Sequence, residues 1–191
     1  MTDEPLAEHT RQGSSTAFAA LVARHCDAVY RIALNICASA GDAEEVTRQT
    51  FLSACRDAGS RPGGLGFRTW LCGIALRKAS GERQRSYRGQ AVSLEAFLPR
   101  FDADGGLEPP GGEWPEPGSA RLEAMNVAGF LREALQDMEE GVRAAFVLCD
   151  LAQLPAEDAA AILEASPELV RGRVHRARLM LRGFLDRLWS V

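Results

Sequence analysis

The chain has 191 residues, 46% of them hydrophobic and 25% charged, and carries a formal net charge of −4. That length holds one ordinary domain or two small ones. No apolar run approaches the roughly 20 residues that cross a bilayer, and the acidic, polar start "MTDEPLAEHT" excludes a secretory leader, so the chain is read as cytoplasmic with no membrane insertion.

In the N-terminal part, Ser14 or Ser15 is placed to cap a helix whose apolar positions, Phe18, Leu21, Val22, Val29, Ile32, Ala33 and Ile36, roughly follow a 3.6-residue period. The run "GDAEE" predicts a new helix with Asp42 as its N-cap and Glu45 three residues on, a capping-box pattern. That helix is expected to bury Val46, Thr50 and Phe51 and to stop at the glycine-rich "DAGSRPGGLG". A third helix starts near "FRTWLCGIAL", with Trp70, Leu71, Ile74 and Ala75 as its apolar stripe. It runs into a basic segment: between Phe67 and Arg88, five arginines and a lysine face one acid, Glu82.

From Gln90 to Ala120 stand five of the nine prolines, clustered glycines and six acids. Proline lacks the donor for helix or ladder bonds and glycine loses the most backbone entropy, so this segment predicts an irregular linker. Its apolar residues Leu94, Phe97, Leu98, Phe101 and Trp114 suggest docking on a surface.

Beyond the linker the pattern is again helical, in four runs: "NVAGFLREALQDM", "EEGVRAAFVLCDLAQL", "PAEDAAAILEA" and "SPELVRGRVHRARLMLRGFLDRLW". In the last run Ser166 is placed as N-cap, Pro167 at the first helical position, and Glu168 at the positive end of the helix dipole. Val170, Val174, Ala177, Leu181, Phe184 and Leu188 recur at three- or four-residue spacing and predict the buried face. The arginines then project elsewhere. A short helix, the turn "EAS" and a longer basic helix make a helix-turn-helix pattern, whose second helix enters the major groove. Between Arg171 and Arg187 six arginines stand against one acid, and Arg171, Arg173, His175, Arg176 and Arg178 fall in the turns from which bases and phosphates are within reach. The fold class is therefore all-α: two small helical domains, 1–89 and 122–191, joined by an irregular linker, 90–121, with the helix-turn-helix in the second.

Catalytic chemistry finds no frame. There are three histidines (His9, His25, His175), and no glycine-rich phosphate loop, HExxH or paired CxxC. The adjacent His25 and Cys26 point about 100° apart on a helix, with no partner spacing in view. The five cysteines (Cys26, Cys37, Cys55, Cys72 and Cys149) are odd in number and widely spaced, which reads as buried reduced thiols. No enzyme activity, metal, cofactor or small-molecule substrate is expected.

The segment "AEDAAAILEASPELVRGRVHRARLMLR" resembles region four of bacterial sigma factors of the extracytoplasmic-function (ECF) group, and "GDAEEVTRQTFLSA" followed by "FRTWLCGIAL" resembles region two of the same group, in the same order and spacing. The resemblance spans Phe18 to Arg88 and Val127 to Leu188. It implies a transcription initiation factor that binds core RNA polymerase (clamp helices and flap) and reads promoter DNA. Asp42, Glu44, Glu45, Gln49 and Phe51 are the implied polymerase contacts. The implied −10 contacts are Arg68, Trp70, Arg77, Lys78, Arg83 and Arg85, with Trp70 better read as a core anchor and Arg83, Arg85 and Arg88 as phosphate contacts. Region four implies −35 contacts from Ser166, Glu168, Leu169, Arg171, Gly172, Arg173, His175, Arg176 and Arg178. The resemblance also implies an anti-sigma partner and a linker path toward the polymerase active centre.

The chain departs from that pattern at five positions. Arg77 and Gly81 stand where asparagine and aspartate are usual, Leu169 and Gly172 where threonine and serine are common, and Glu164 where the turn normally has glycine. A glutamate there predicts strain or a different turn, because a positive φ disfavours side chains with a Cβ. Two alternatives stay open: a sigma-like mimic that sequesters an anti-sigma factor, and a stand-alone helix-turn-helix regulator.

Overall fold

A computed structural model describes residues 2–58, 61–62, 64–86 and 127–189, with side chains to 85 in the first part and to 186 in the second. The expected linker, with its apolar docking residues, lies outside the described residues, as do Arg88 and the Leu188 side chain.

Every regular element among the described residues is helical: α1 (Asp3–Arg11), α2 (Ser15–Cys37), α3 (Ala40–Arg56), α4 (Phe67–Ser86), α5 (Val127–Gln136), α6 (Glu140–Phe146), α7 (Ala156–Leu163) and α8 (Pro167–Trp189). A π-helical turn, Val147–Leu151, extends α6.

Ser14 caps α2, its Oγ accepting from the Ala17 N–H at 3.3 Å. The α3 start differs from expectation: Ser39 is the N-cap, accepting from the Asp42 N–H at 3.3 Å. Asp42 lies inside the first turn, where its charge favours the dipole's positive end. Glu45 does not complete a capping box; it bonds Arg48 and Gln49 on its own helix. The sequence reading also omitted α1, whose signals are an extended Thr2 before Asp3 and Glu4 in the first turn.

In the N-terminal half, α2 packs against α3 and α4 while α1 lies across α2 and α4. Leu21, Val29, Ile32, Ile36, Val46 and Leu71 are essentially inaccessible to solvent, and burying each such side chain contributes roughly 1.5–3 kcal/mol. The threonines of α3 face this core without penalty, because Thr47 and Thr50 donate to the carbonyls of Ala43 and Val46 at 2.7 Å.

In the C-terminal half α6 packs on α8. Val170, Val174, Ala177 and Met180 form the buried stripe of α8; Leu181 and Phe184 are half-buried against it. Arg143 is buried inside this half, donating to the carbonyls of Leu135 and Met138 at 3.2 and 3.0 Å. It thereby satisfies acceptors that the end of α5 leaves open.

Candidate nucleic-acid interface

The turn between α7 and α8 is built from Glu164, Ala165 and Ser166. Glu164 takes the left-handed conformation itself (φ 50°, ψ 45°), and its N–H bonds the Ala160 carbonyl. Ala165 N–H reaches the same oxygen at 3.1 Å. The turn thus keeps the geometry that glycine would adopt freely, and the glutamate bears the steric strain. No different turn replaces it. Ser166 then caps α8, its Oγ accepting from the Leu169 N–H at 3.2 Å.

With Val170, Val174 and Ala177 turned inward, Glu168, Leu169, Arg171, Gly172, His175, Arg178 and Arg182 are exposed. Arg171, His175, Arg178 and Arg182 follow i, i+4, i+7, i+11 spacing and so form one cationic stripe. Leu169, 49% exposed, begins the outer face beside it. Arg173 does not join the stripe. Its guanidinium lies over Gly141, with Cζ 3.0 Å from where a Cβ on that glycine would stand. Arg176 turns to the same side, 3.5 Å from Glu139.

Acids frame the stripe. Arg178 grips Asp150 with two bonds of 2.9 and 2.7 Å, and Arg171 bridges Glu157 and Glu168 at 3.0 and 3.2 Å. Glu157 and Glu168 hold their protons less tightly than ordinary carboxylates, first because each accepts from its own main-chain N–H, then through Arg171 or, for Glu168, Ser166. Exposed pairs of this kind are weak and screened by salt, so DNA phosphates can take the arginines over.

The α4 surface is partly committed elsewhere. Trp70 is 8% exposed and packs beside Phe67, ring centroids 5.8 Å apart, which makes it a core anchor. Arg83 is also 8% exposed and donates to the main-chain carbonyl of Gln136 at 2.9 Å and to that residue's side-chain oxygen. It is a joint between the halves, not a phosphate contact in this structure. Arg68 is exposed but donates to the Ala152 carbonyl at 2.5 Å. Arg77 and Arg85 are exposed and Lys78 is half-buried.

On α3, Glu44, Glu45 and Arg48 are exposed and Asp42 and Gln49 half-buried. Phe51 is only 7% exposed, edge-on to Phe18 at 6.5 Å, so the polymerase contact expected of it is corrected to a core role. Leu52 is what sequence reasoning missed: it is 47% exposed on the Glu45 and Arg48 face. The inward set Val46, Thr47, Thr50 and Phe51 already implies that Leu52 points out.

Comparison with known proteins agrees with this arrangement. The family model for sigma-70 region 2 matches residues 21–88, and that for sigma-70 region 4 matches residues 131–181. The RNA polymerase sigma factor CnrH of Cupriavidus metallidurans is 33% identical over 190 residues, covering 96% of this chain and 94% of its own. The ECF RNA polymerase sigma-E factor of Escherichia coli is 29% identical over 184 residues, covering 93% and 91%. The solved structure of CnrH with the cytosolic domain of CnrY superposes with a TM-score of 0.71 at 27% identity, over 97% of both chains. The sigma factor RpoE of Bartonella quintana, in complex with the anti-sigma factor NepR, shares the fold with a TM-score of 0.63 at 23% identity, over 88% of this chain and 96% of its own. The chain belongs to the sigma-70 family and, within it, to the ECF group of RNA polymerase sigma factors.

Proposed function

We propose that this sigma factor docks on core polymerase through the exposed α3 face (Glu44, Glu45, Arg48, Gln49 and Leu52), lays α8 in the major groove of the −35 element, and uses α4 with the loop before it on the melted −10 strand. The observation that carries the −35 assignment is the exposed stripe Arg171, His175 and Arg178 on a capped second helix of a helix-turn-helix. Arginine reads guanine edges in that groove and grips phosphates on its rim. Gly172, without a side chain, leaves the backbone of α8 free to approach the bases closely.

Its partners on this reading are core polymerase, promoter DNA and an anti-sigma factor, and its place is the cytoplasm. The anti-sigma partner is supported by the RpoE–NepR complex, whose sigma factor shares this fold. A pull-down on purified core polymerase tests the α3 assignment. Wild type is retained, whereas Leu52→Asp with Glu45→Lys weakens retention about tenfold or more, an effect of about 1.4 kcal/mol or more. Undiminished retention of that folded variant removes α3 from the interface.

A further inference from the structure

The first turn of α8 presents a side chain with no means of forming a hydrogen bond. Leu169 is the third residue of that helix and is 49% exposed, while Val170 beside it is fully buried. Ser166 caps this turn, its Oγ accepting from the Leu169 N–H at 3.2 Å. Three residues on, Gly172 stands roughly opposite Val170 round the helix and so at the crest of its outer face. A Cβ added to Gly172 would meet nothing within 4 Å. Leu169 and Gly172 are neighbours on the helix surface, so the leucine stands beside bare backbone. The other positions on its side of α8, Ser166, Arg173 and Arg176, supply no second apolar side chain. A single leucine in such a setting is not the contiguous apolar patch through which proteins dock.

We infer that Leu169 is a specificity-determining residue for the −35 element: it packs on the C5-methyl of one thymine, and Gly172 lets the helix come close enough for that contact. The inference rests on the sigma-factor reading above and adds the base that this turn selects. The N-terminal residues of a recognition helix are the ones that meet base edges, and Leu169 is among them. In the major groove the base pairs differ in their donors and acceptors, and only thymine adds a methyl group. Leucine has neither donor nor acceptor, so it tells bases apart through that methyl alone. Its polar neighbour Glu168 and the arginines of the stripe read or grip by hydrogen bonds; Leu169 reads by removing a methyl from water.

The test uses holoenzyme, assembled from the full chain and core polymerase, on the template that gives the strongest chain-dependent transcript. Each thymine of its −35 duplex, on either strand, is replaced in turn by uracil, which lacks only the methyl and keeps the same pairing groups. At least one replacement should weaken promoter binding by wild-type holoenzyme about fourfold, the worth of one methyl buried from water. The same replacement should leave Leu169→Ala holoenzyme almost unaffected, because the methyl has already lost its partner. That variant should keep its helical circular dichroism and its retention on core polymerase, since the side chain it shortens is exposed. A −35 element in which no uracil weakens binding, or a loss that persists undiminished in Leu169→Ala, overturns the inference. Loss of polymerase retention by folded Leu169→Ala also overturns it and assigns the leucine to a protein contact. Failure of the sigma reading is separable: no template then gives a chain-dependent transcript, and wild type is not retained on core polymerase.

Discussion

At the scale of single residues, the turn glutamate and the recognition-helix arginines carry the sharpest expectations. Glu164 sits at φ 50°, so Glu164→Gly relieves strain, partly offset by the freedom glycine gains in the unfolded chain. The net expected effect is a stabilisation of up to about 1 kcal/mol, read as a rise in Tm. Arg178→Ala or Arg171→Ala should weaken −35 duplex binding by about 1–3 kcal/mol where the arginine bonds a base, and nearly uniformly across sequences where it grips phosphate. Arg173→Ala should do less, because that side chain is turned onto Gly141; competition binding against scrambled duplex separates these cases. The cysteines order themselves by burial. Burial pushes the Cys72 and Cys37 thiols up to about 11, while Cys55 is exposed, so a thiol reagent on the native chain should label Cys55 first and leave Cys72 until unfolding.

At the scale of elements, α1 shows what a local reading loses. Its Asp3 pairs with Arg24 at 2.6 Å and bonds His25 at 2.9 Å, and Glu4 bonds both Arg61 and the Phe67 N–H at the start of α4. These partners stand far along the chain, so no window of sequence around α1 reveals them. Burial lowers the affinity of His25 for a proton, with the Asp3 charge opposing, and keeps the imidazole neutral in the fold. The unfolded chain then binds the extra proton just below the ordinary histidine range, so stability is full above about pH 6.5 and falls as pH drops below it. Thermal melts from about pH 7.5 down to about pH 5.5 should show Tm declining, and His25→Gln should flatten that slope. By contrast α2, α4 and α8 are legible, because their apolar stripes, and in α2 and α8 the serine caps Ser14 and Ser166, are local signals. The start of α3 was misplaced by three residues: Ser39 and Asp42 are both good cap residues, and only the backbone decides between them.

At the scale of the whole molecule, the sequence shows two helical halves and their order but nothing of how they meet. The seam depends on hydrogen bonds between residues as far apart as Arg68 and Ala152 or Arg83 and Gln136, and no periodicity records such pairs. That is also why Arg83 is legible as basic and not as buried, whereas Phe51, read from the sequence both as a core residue and as a polymerase contact, is buried, and its neighbour Leu52, to which the sequence assigns no role, is exposed. Net acidity coexists with DNA binding because the positive charge lies on one face of α8 and along α4, with the acids beside it available for displacement by phosphate. The central claim is tested most directly by run-off transcription with purified core polymerase on a template library drawn from regions upstream of genes. A discrete set of transcripts that depends on this chain, and that disappears with Arg171→Ala and Arg178→Ala together, is the predicted result. Core polymerase giving the same transcripts with and without the chain, and forming no holoenzyme with it, would contradict it.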